Sequence, residues 1–343
     1  MAPIAVEVGS VNNGNTQVAS SKKHQHQHQQ HQKGSLMDQL SDSIDEVNLY
    51  LSQNPGAPRP TSGEDDESWR SEESKFDSDK DKTQFRNYES ALDRVKQFYR
   101  DQHVNQTVQF NLEARERFLG RNKVQNARWT VWEAIEKLDE LVDESDPDTE
   151  LSQIQHLLQT AEAIRRDGKP DWMQLTGLIH DLGKLLCFFG AQGQWDVVGD
   201  TFVVGCKPQG TVYPHTFEEN PDMSDPRYNT EYGMYSPHCG LKNVMLSFGH
   251  DEYLYEVAKR ESTIPQAGLD MIRYHSFYPW HREGAYRHLC NQEDQEALKN
   301  VLAFNPYDLY SKSDSPPDPV ALRPYYEGLI DKYFGSRDRK IDW

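Results

Sequence analysis

The sequence predicts a mainly α-helical domain preceded by a disordered N-terminal tail. Three observations carry that expectation. From about residue 84, apolar residues recur at steps of three and four, the spacing of amphipathic helices. Residues 1–83 are polar and of low complexity instead. No stretch approaches the roughly 18 consecutive apolar residues of a membrane helix.

The tail contains HQHQHQQHQ (24–32), NPGAPRP (54–60) and the acidic stretch GEDDESWRSEES. Its first 80 residues carry 13 acidic and 7 basic side chains, a net of −6. Such a segment buries too little apolar surface to offset the entropy of ordering it, so disorder is expected. A transient helix fits only SLMDQLSDSIDEVNLYLS (35–52). His24, His26, His28 and His31 are interleaved with Gln and lack apolar neighbours, and read as a solvated tract rather than a metal site.

The body, 84–343, reads as one domain. Val131, Ile135, Leu138 and Leu141/Val142 form one apolar stripe. Ile154, Leu157/Leu158, Ala161 and Ile164 form the next, ended by Gly168-Lys169-Pro170. DWMQLTGLIHDLGKLLCFFG predicts a helix from Asp171 to near Gly190. Further helices are expected over GLKNVMLSFGHDEYLYEVAKR (240–260), PQAGLDMIRYHSF (265–277) and QEDQEALKNVLAFN (292–305), and a short β-hairpin around DTFVVGCKPQGTVYP (200–214).

The chain of 343 residues has a net charge of −18 and a mean hydropathy of −0.88. That balance disfavours nucleic acid or an anionic membrane as an electrostatic partner. The N-terminus lacks the basic start and apolar block of a secretory signal. Cys187, Cys206, Cys239 and Cys290 show no CxxC spacing, which predicts reduced thiols and a cytosolic location.

Ionisable residues on apolar faces are the anomaly. His156 lies beside Leu157, His180 and Asp181 follow Leu178 and Ile179, His250 ends NVMLSFG, His275 is three residues after Ile272, and Asp308 follows a helix in FNPYDLY. A lone histidine on such a face is more often a hydrogen-bonded core residue than a ligand. Four helices each burying a ligand type is harder to dismiss, because unpaired buried polar groups cost several kcal/mol. Imidazole plus carboxylate suits Fe, Mn, Zn or Ni, and no thiolate pattern points to structural zinc. His180 and Asp181 point about 100° apart on a helix, so a carboxylate there can bridge two ions while the imidazole serves one. The ExxH pair of ferritin-like di-iron bundles does not occur in the body. HxE at His250-Asp251-Glu252 and His281-Arg282-Glu283 is only a weak triad signal.

The His … His-Asp … Asp pattern resembles the HD-domain superfamily of helical metal-dependent proteins. RNY (86–88), LVDESDPD (141–148), QTAE (159–162), GLIHDLGK, QWDVVGDTF (194–202), DPRYNTEYGMYSPHCG, GHDEY (249–253), MIRYHSFYPWH (271–281), FNPYDLYSK (304–312) and LRPYYEGLIDKYF (322–334) together resemble the inositol oxygenase family over about residues 84–343. The resemblance implies an HD-like helical bundle that cleaves myo-inositol with O₂ to give D-glucuronate, using two iron ions in a mixed-valent Fe(II)/Fe(III) pair. It implies that His156, His180, Asp181 and Asp308 bind one iron, and that Asp181 bridges to a second held by His250 and His275. It places Lys184 beside the iron-bound substrate oxygen, with Asp143, Ser145, Gly199, Asp200, His275, Ser276 and Lys312 around the substrate and Arg86 supporting Asp143. A cation at Lys184 favours a substrate alkoxide; as a helix-end lysine it would only complement the macrodipole. The expected partners are myo-inositol and O₂, with no nucleic acid or membrane, and the chain is expected to be a monomer.

Two rivals remain at this stage. An HD-type phosphohydrolase would line its site with extra Arg and Lys to hold phosphate; here Asp143 and Asp200 accompany Lys184 and Lys312, which suits a neutral polyol better. A scaffold that keeps metal only for folding would lack the substrate shell, and both sets of residues are present.

Overall fold

The structure is a computed structural model describing residues 67–70, 88, 91, 93–120, 127–143, 152–310 and 317–343. The 35–52 helix, the tail histidines, Arg86, Ser145 and Lys312 lie outside the described residues. Within the span read as tail, Glu67–Arg70 forms a 3-10 turn. Trp69 meets Trp172 edge-on at 4.9 Å, Lys169 Nζ donates to the Trp69 carbonyl at 2.8 Å, and Arg70 pairs with Glu296 at 3.3 Å.

The described body is mainly helical: α1 (Asp93–Asn105) and α2 (Val108–Leu119), then β1 (Arg128–Trp129), α3 (Val131–Leu138), α4 (Gln153–Arg166) and α5 (Asp171–Ile179). Next come β2 (Val203–Val204), β3 (Met245–Leu246), α6 (His250–Glu261), α7 (Gln266–Tyr274) and α8 (Tyr278–His281). α9 (Gln292–Tyr310), α10 (Pro319–Phe334) and β4 (Ile341–Asp342) complete the order.

Local chemistry explains several boundaries. Thr130 and Glu133 form a reciprocal capping box at the start of α3. The α4 stripe buries Leu157, Leu158, Ala161 and Ile164 completely in the core. α5 packs tightly on α4 because Gly177 has no side chain; a Cβ there would fall 2.7 Å from Ile164 Cδ1 and 3.2 Å from the Ala161 backbone. Asp270 on α7 accepts from Asn300 of α9 at 2.8 Å. Glu252 on α6, itself buried, pairs with both Arg115 and Arg273. β1 pairs antiparallel with β4, so the C-terminal Trp343 is buried, its indole donating to the Trp129 carbonyl.

Four expectations are corrected. Val203–Val204 pairs with Met245–Leu246, not within a 200–214 hairpin; two-residue strands gain their stability from the core beneath, and Val203 and Leu246 lie in one buried cluster. The helix expected over 171–190 ends at Ile179 and resumes as a 3-10 turn, Leu182–Phe188. Asp181 (φ −96°, ψ 0°) makes the break, and Gly183 lies so near the His250 carbonyl that a Cβ would be 2.0 Å away. The helix expected over 240–260 begins only at His250, which opens α6 after Gly249. Asp308 lies inside α9, which runs on through Pro306.

Candidate metal centre

Each candidate donor is delivered by the end or edge of a helix. α4 carries His156, the end of α5 supplies His180 and Asp181, α6 begins with His250, His275 caps α7, and Asp308 sits in the last turn of α9. His180, Asp181, His250 and His275 are buried, and His156 and Asp308 are half-buried.

The imidazoles are oriented by the backbone. Nδ1 of His180 meets the Gly177 carbonyl at 2.8 Å, that of His250 the Val197 carbonyl at 2.8 Å, and that of His275 the Ile272 carbonyl at 2.9 Å. A carbonyl only accepts, so each Nδ1 carries the proton and a neutral ring presents its Nε2 lone pair to the centre. Those lone pairs face one another and carboxylates. His250 Nε2 and His275 Nε2 are 3.3 Å apart, while His156 Nε2 and His180 Nε2 each lie 3.2 Å from Asp308 Oδ1.

Asp181 divides the cluster in two. Its Oδ2 lies 3.6 Å from Nε2 of both His156 and His180, and its Oδ1 lies 3.5 Å from Nε2 of both His250 and His275. Atoms bonded to one ion at roughly 2.0–2.2 Å, with angles of about 80–120°, stand about 2.7–3.7 Å from one another. The separations fall in that range on both sides of Asp181. The His180 Nε2 atom is buried without a hydrogen bond. The donor set therefore fits metal.

The electrostatics agree. Burial pushes the Asp181 carboxyl up, but Lys184 and the histidines around it outweigh this and hold it well below the ordinary value. Burial acts the same way on Asp308, and the His156 and His180 imidazoles facing it reverse it. In return, neighbouring carboxylates raise His180 and His275 against the lowering effect of burial. Positive charge belongs between these groups, as protons or as metal.

Of the remaining residues expected at the site, Lys184 is buried and reaches Asp143 Oδ2 at 2.8 Å and Asp181 Oδ2 at 2.9 Å. Asp143 is buried with it. The 197–201 loop is stitched to the cluster at both ends. The Val197 carbonyl accepts from the His250 backbone, and Thr201 N donates to the Ser276 carbonyl. Gly199 and Asp200 lie between those anchors. Gly199 has φ +92°, and a Cβ there would lie 2.7 Å from the Phe98 ring. Asp200 accepts from Tyr99 Oη at 3.2 Å and helps line a cavity of about 360 Å³ with Tyr88, Thr211, Val212, Tyr278 and Arg282. Ser276 Oγ is 3.3 Å from His250 Nε2.

The second HxE histidine is not in the cluster: His281 Nε2 donates to the His275 carbonyl at 2.9 Å. Sequence reasoning missed Asp251, whose Oδ1 is 2.7 Å from His250 Nε2. In GHDEY its carboxylate is overshadowed by the histidine immediately before it. Thr201, which donates to Asp251 at 3.2 Å, carries no local signal at all.

Helices that bring His, His-Asp and Asp side chains to one buried centre define a helical protein with a cluster of metal-ligand groups in its core. A family model described as "Myo-inositol oxygenase" matches residues 92–343. The chain is 52% identical over 263 residues to a probable inositol oxygenase of Oryza sativa subsp. japonica, covering 74% of this chain and 84% of that protein. It is 51% identical over 260 residues to an inositol oxygenase of Rattus norvegicus and 52% identical over 260 residues to that of Homo sapiens, in each case covering 74% of this chain and 90% of the relative. The chain belongs to the myo-inositol oxygenase family.

Proposed function

We propose that the Asp181-centred cluster holds two iron ions, a mixed-valent Fe(II)/Fe(III) pair, and that the chain opens the ring of myo-inositol there with O₂. As a member of its family it is an inositol oxygenase, an oxidoreductase that converts myo-inositol to glucuronate. The observation that carries the two-ion assignment is Asp181, with one oxygen facing each histidine pair. His156, His180 and Asp308 complete one position, and His250 and His275 the other. Iron there would supply the O₂ activation and electron transfer. The conversion takes four electrons from the polyol, all accepted by one O₂, with one oxygen atom entering the product and one leaving as water.

The protein's own part is positioning and charge. Lys184, a buried ammonium beside Asp181, stabilises an alkoxide at the substrate hydroxyl and so weakens the adjacent C–H bond. Inositol is neutral and rich in hydroxyls, so its pocket needs hydrogen-bonding groups more than an anion clamp. Asp143, Gly199, Asp200, His275 and Ser276 would supply that shell together with Ser145 and Lys312, with Arg86 behind Asp143. We assign the catalytic domain to 84–343 and the tail to 1–83, and the protein to the cytosol as a monomer. Free thiols at Cys187, Cys206, Cys239 and Cys290 support a reducing location, and no described helix is long and apolar enough to cross a membrane.

Loaded with Fe(II), the protein is expected to consume O₂ only when myo-inositol is present and to release glucuronate, followed with an oxygen electrode and product chromatography. Phosphoester hydrolysis without inositol-dependent O₂ uptake would overturn the assignment in favour of an HD-type phosphohydrolase.

A further inference from the structure

We propose that Trp69-Arg70 is a docking motif that fastens the N-terminal extension to the helical body, in a cleft between α5, α7 and α9. The motif lies outside the family match, which begins at residue 92. In TSGEDDESWRSEES (61–74) Arg70 is the single basic residue and Trp69 the single large apolar one. A stretch of this composition orders only where something outside it supplies apolar surface and counter-charge.

The body supplies both. The cleft, of about 830 Å³, is lined by the Trp172 and Tyr255 rings and by the carboxylates of Asp270, Glu293, Asp294 and Glu296. Trp69 meets Trp172 edge-on at 4.9 Å, a favourable geometry for two indoles. Its backbone is held as well as its ring, because Lys169, a buried lysine of the α4–α5 turn, donates to the Trp69 carbonyl at 2.8 Å. Arg70 lies over the Trp69 ring at 5.1 Å and reaches Glu296 of α9 at 3.3 Å. An ion pair with one partner half exposed contributes little by itself; the ring and the carbonyl bond add the apolar and backbone contacts that make a motif of it. Acidic neighbours on both sides of the pair are repelled by a cleft of this charge, which leaves Trp69 and Arg70 as the two residues of the stretch suited to bind it. Trp172 and Glu296 lie near the starts of α5 and α9, whereas His180 and Asp308 lie at the far ends of those helices. The motif therefore serves tethering and stability and stands apart from the chemistry of the metal centre.

Hydrogen exchange followed by mass spectrometry on the full-length chain tests this. Amides of residues 67–72 should exchange at least about tenfold more slowly than in an unstructured peptide of the same sequence, at any protein concentration. Trp69→Ser and Arg70→Glu should each remove that protection and lower Tm by about 2–4 °C, the shift that matches a tenfold docking equilibrium in a domain of this size. Glu296→Arg added to Arg70→Glu should restore much of it, which a general loosening of the fold would not do. Inositol-dependent O₂ uptake should be the same in all of these proteins. Exchange of 67–72 at unstructured rates in the wild type, or protection retained in both single variants, overturns the proposal. So does protection that is lost on dilution, which would seat the motif in the cleft of a second copy. None of these readouts depends on bound iron, so the proposed di-iron chemistry stands or falls separately.

Discussion

Lys184 lies within 3 Å of two carboxylates, Asp143 and Asp181, with its side chain almost out of solvent. Burial alone would lower its pKa; the two carboxylates outweigh it and hold the ammonium well above the ordinary lysine value. It is therefore a fixed cation across the physiological range and acts by charge, not by taking up a proton. Replacing it separates catalysis from metal binding, because the proposed ligands of both ions remain and the local charge becomes more negative. Lys184→Met is expected to keep full iron content while kcat falls by about 10²–10³-fold, the usual cost of removing one donor aimed at a developing oxyanion. Iron analysis and O₂-uptake rates on the same sample check both halves. A variant that lost iron in proportion to activity would make Lys184 a support for Asp181 only.

At the scale of elements, legibility followed the length of the repeat. α3 and α4 were readable because each shows several turns of one apolar stripe, and α7 because its stripe runs straight to His275. The His/Asp cluster was readable for a related reason: an imidazole or carboxylate interrupting such a stripe is conspicuous. The segment between α5 and α6 was not readable, since it is built from 3-10 turns and a two-residue strand whose partner lies some forty residues on. Such turns follow tertiary contacts, here Gly183 against the His250 backbone and His103 against the Pro214–Glu219 turn. His103, on α1, stacks on Phe217 at 3.9 Å and its Nδ1 lies 2.7 Å from Thr216 Oγ1. Burial, with the nearby His215, lowers its pKa to about 3. In the unfolded chain it titrates near the ordinary 6.5, so between these values the unfolded state binds the extra proton. Its contribution is present above about pH 6.5 and is lost progressively as the pH falls toward 3, by about 1.4 kcal/mol per pH unit. In His103→Gln the fall in stability between pH 6 and 4 should be shallower by that slope, measured by urea unfolding of the chelated protein. Equal slopes in variant and wild type would mean that His103 is solvated and charged in the fold.

On the scale of the whole molecule, the cluster draws on α4, α5, α6, α7 and α9 at once. Its His and Asp side chains run from His156 to Asp308, so an unfolded chain cannot present them together. Metal binding is then linked to folding, because an ion with affinity for the native state alone stabilises it by mass action. The metal-free protein must hold Asp181, Asp251 and Asp308 as buried carboxylates balanced by Lys184 and protons on the histidines, a less favourable arrangement than ligation. With free metal at about 100 times the dissociation constant of a site the added stability is about 2.7 kcal/mol per ion. For a domain of this size that raises Tm by about 5–10 °C for each ion bound. Chelation should therefore lower Tm by that amount, and titrating Fe(II) back under anaerobic conditions should restore it progressively with metal concentration. The shift should shrink in His250→Ala and again in His180→Ala, which remove one donor from each side of Asp181. A melting temperature indifferent to chelator and metal would show that hydrogen bonds and protons alone hold the five helices together at this point.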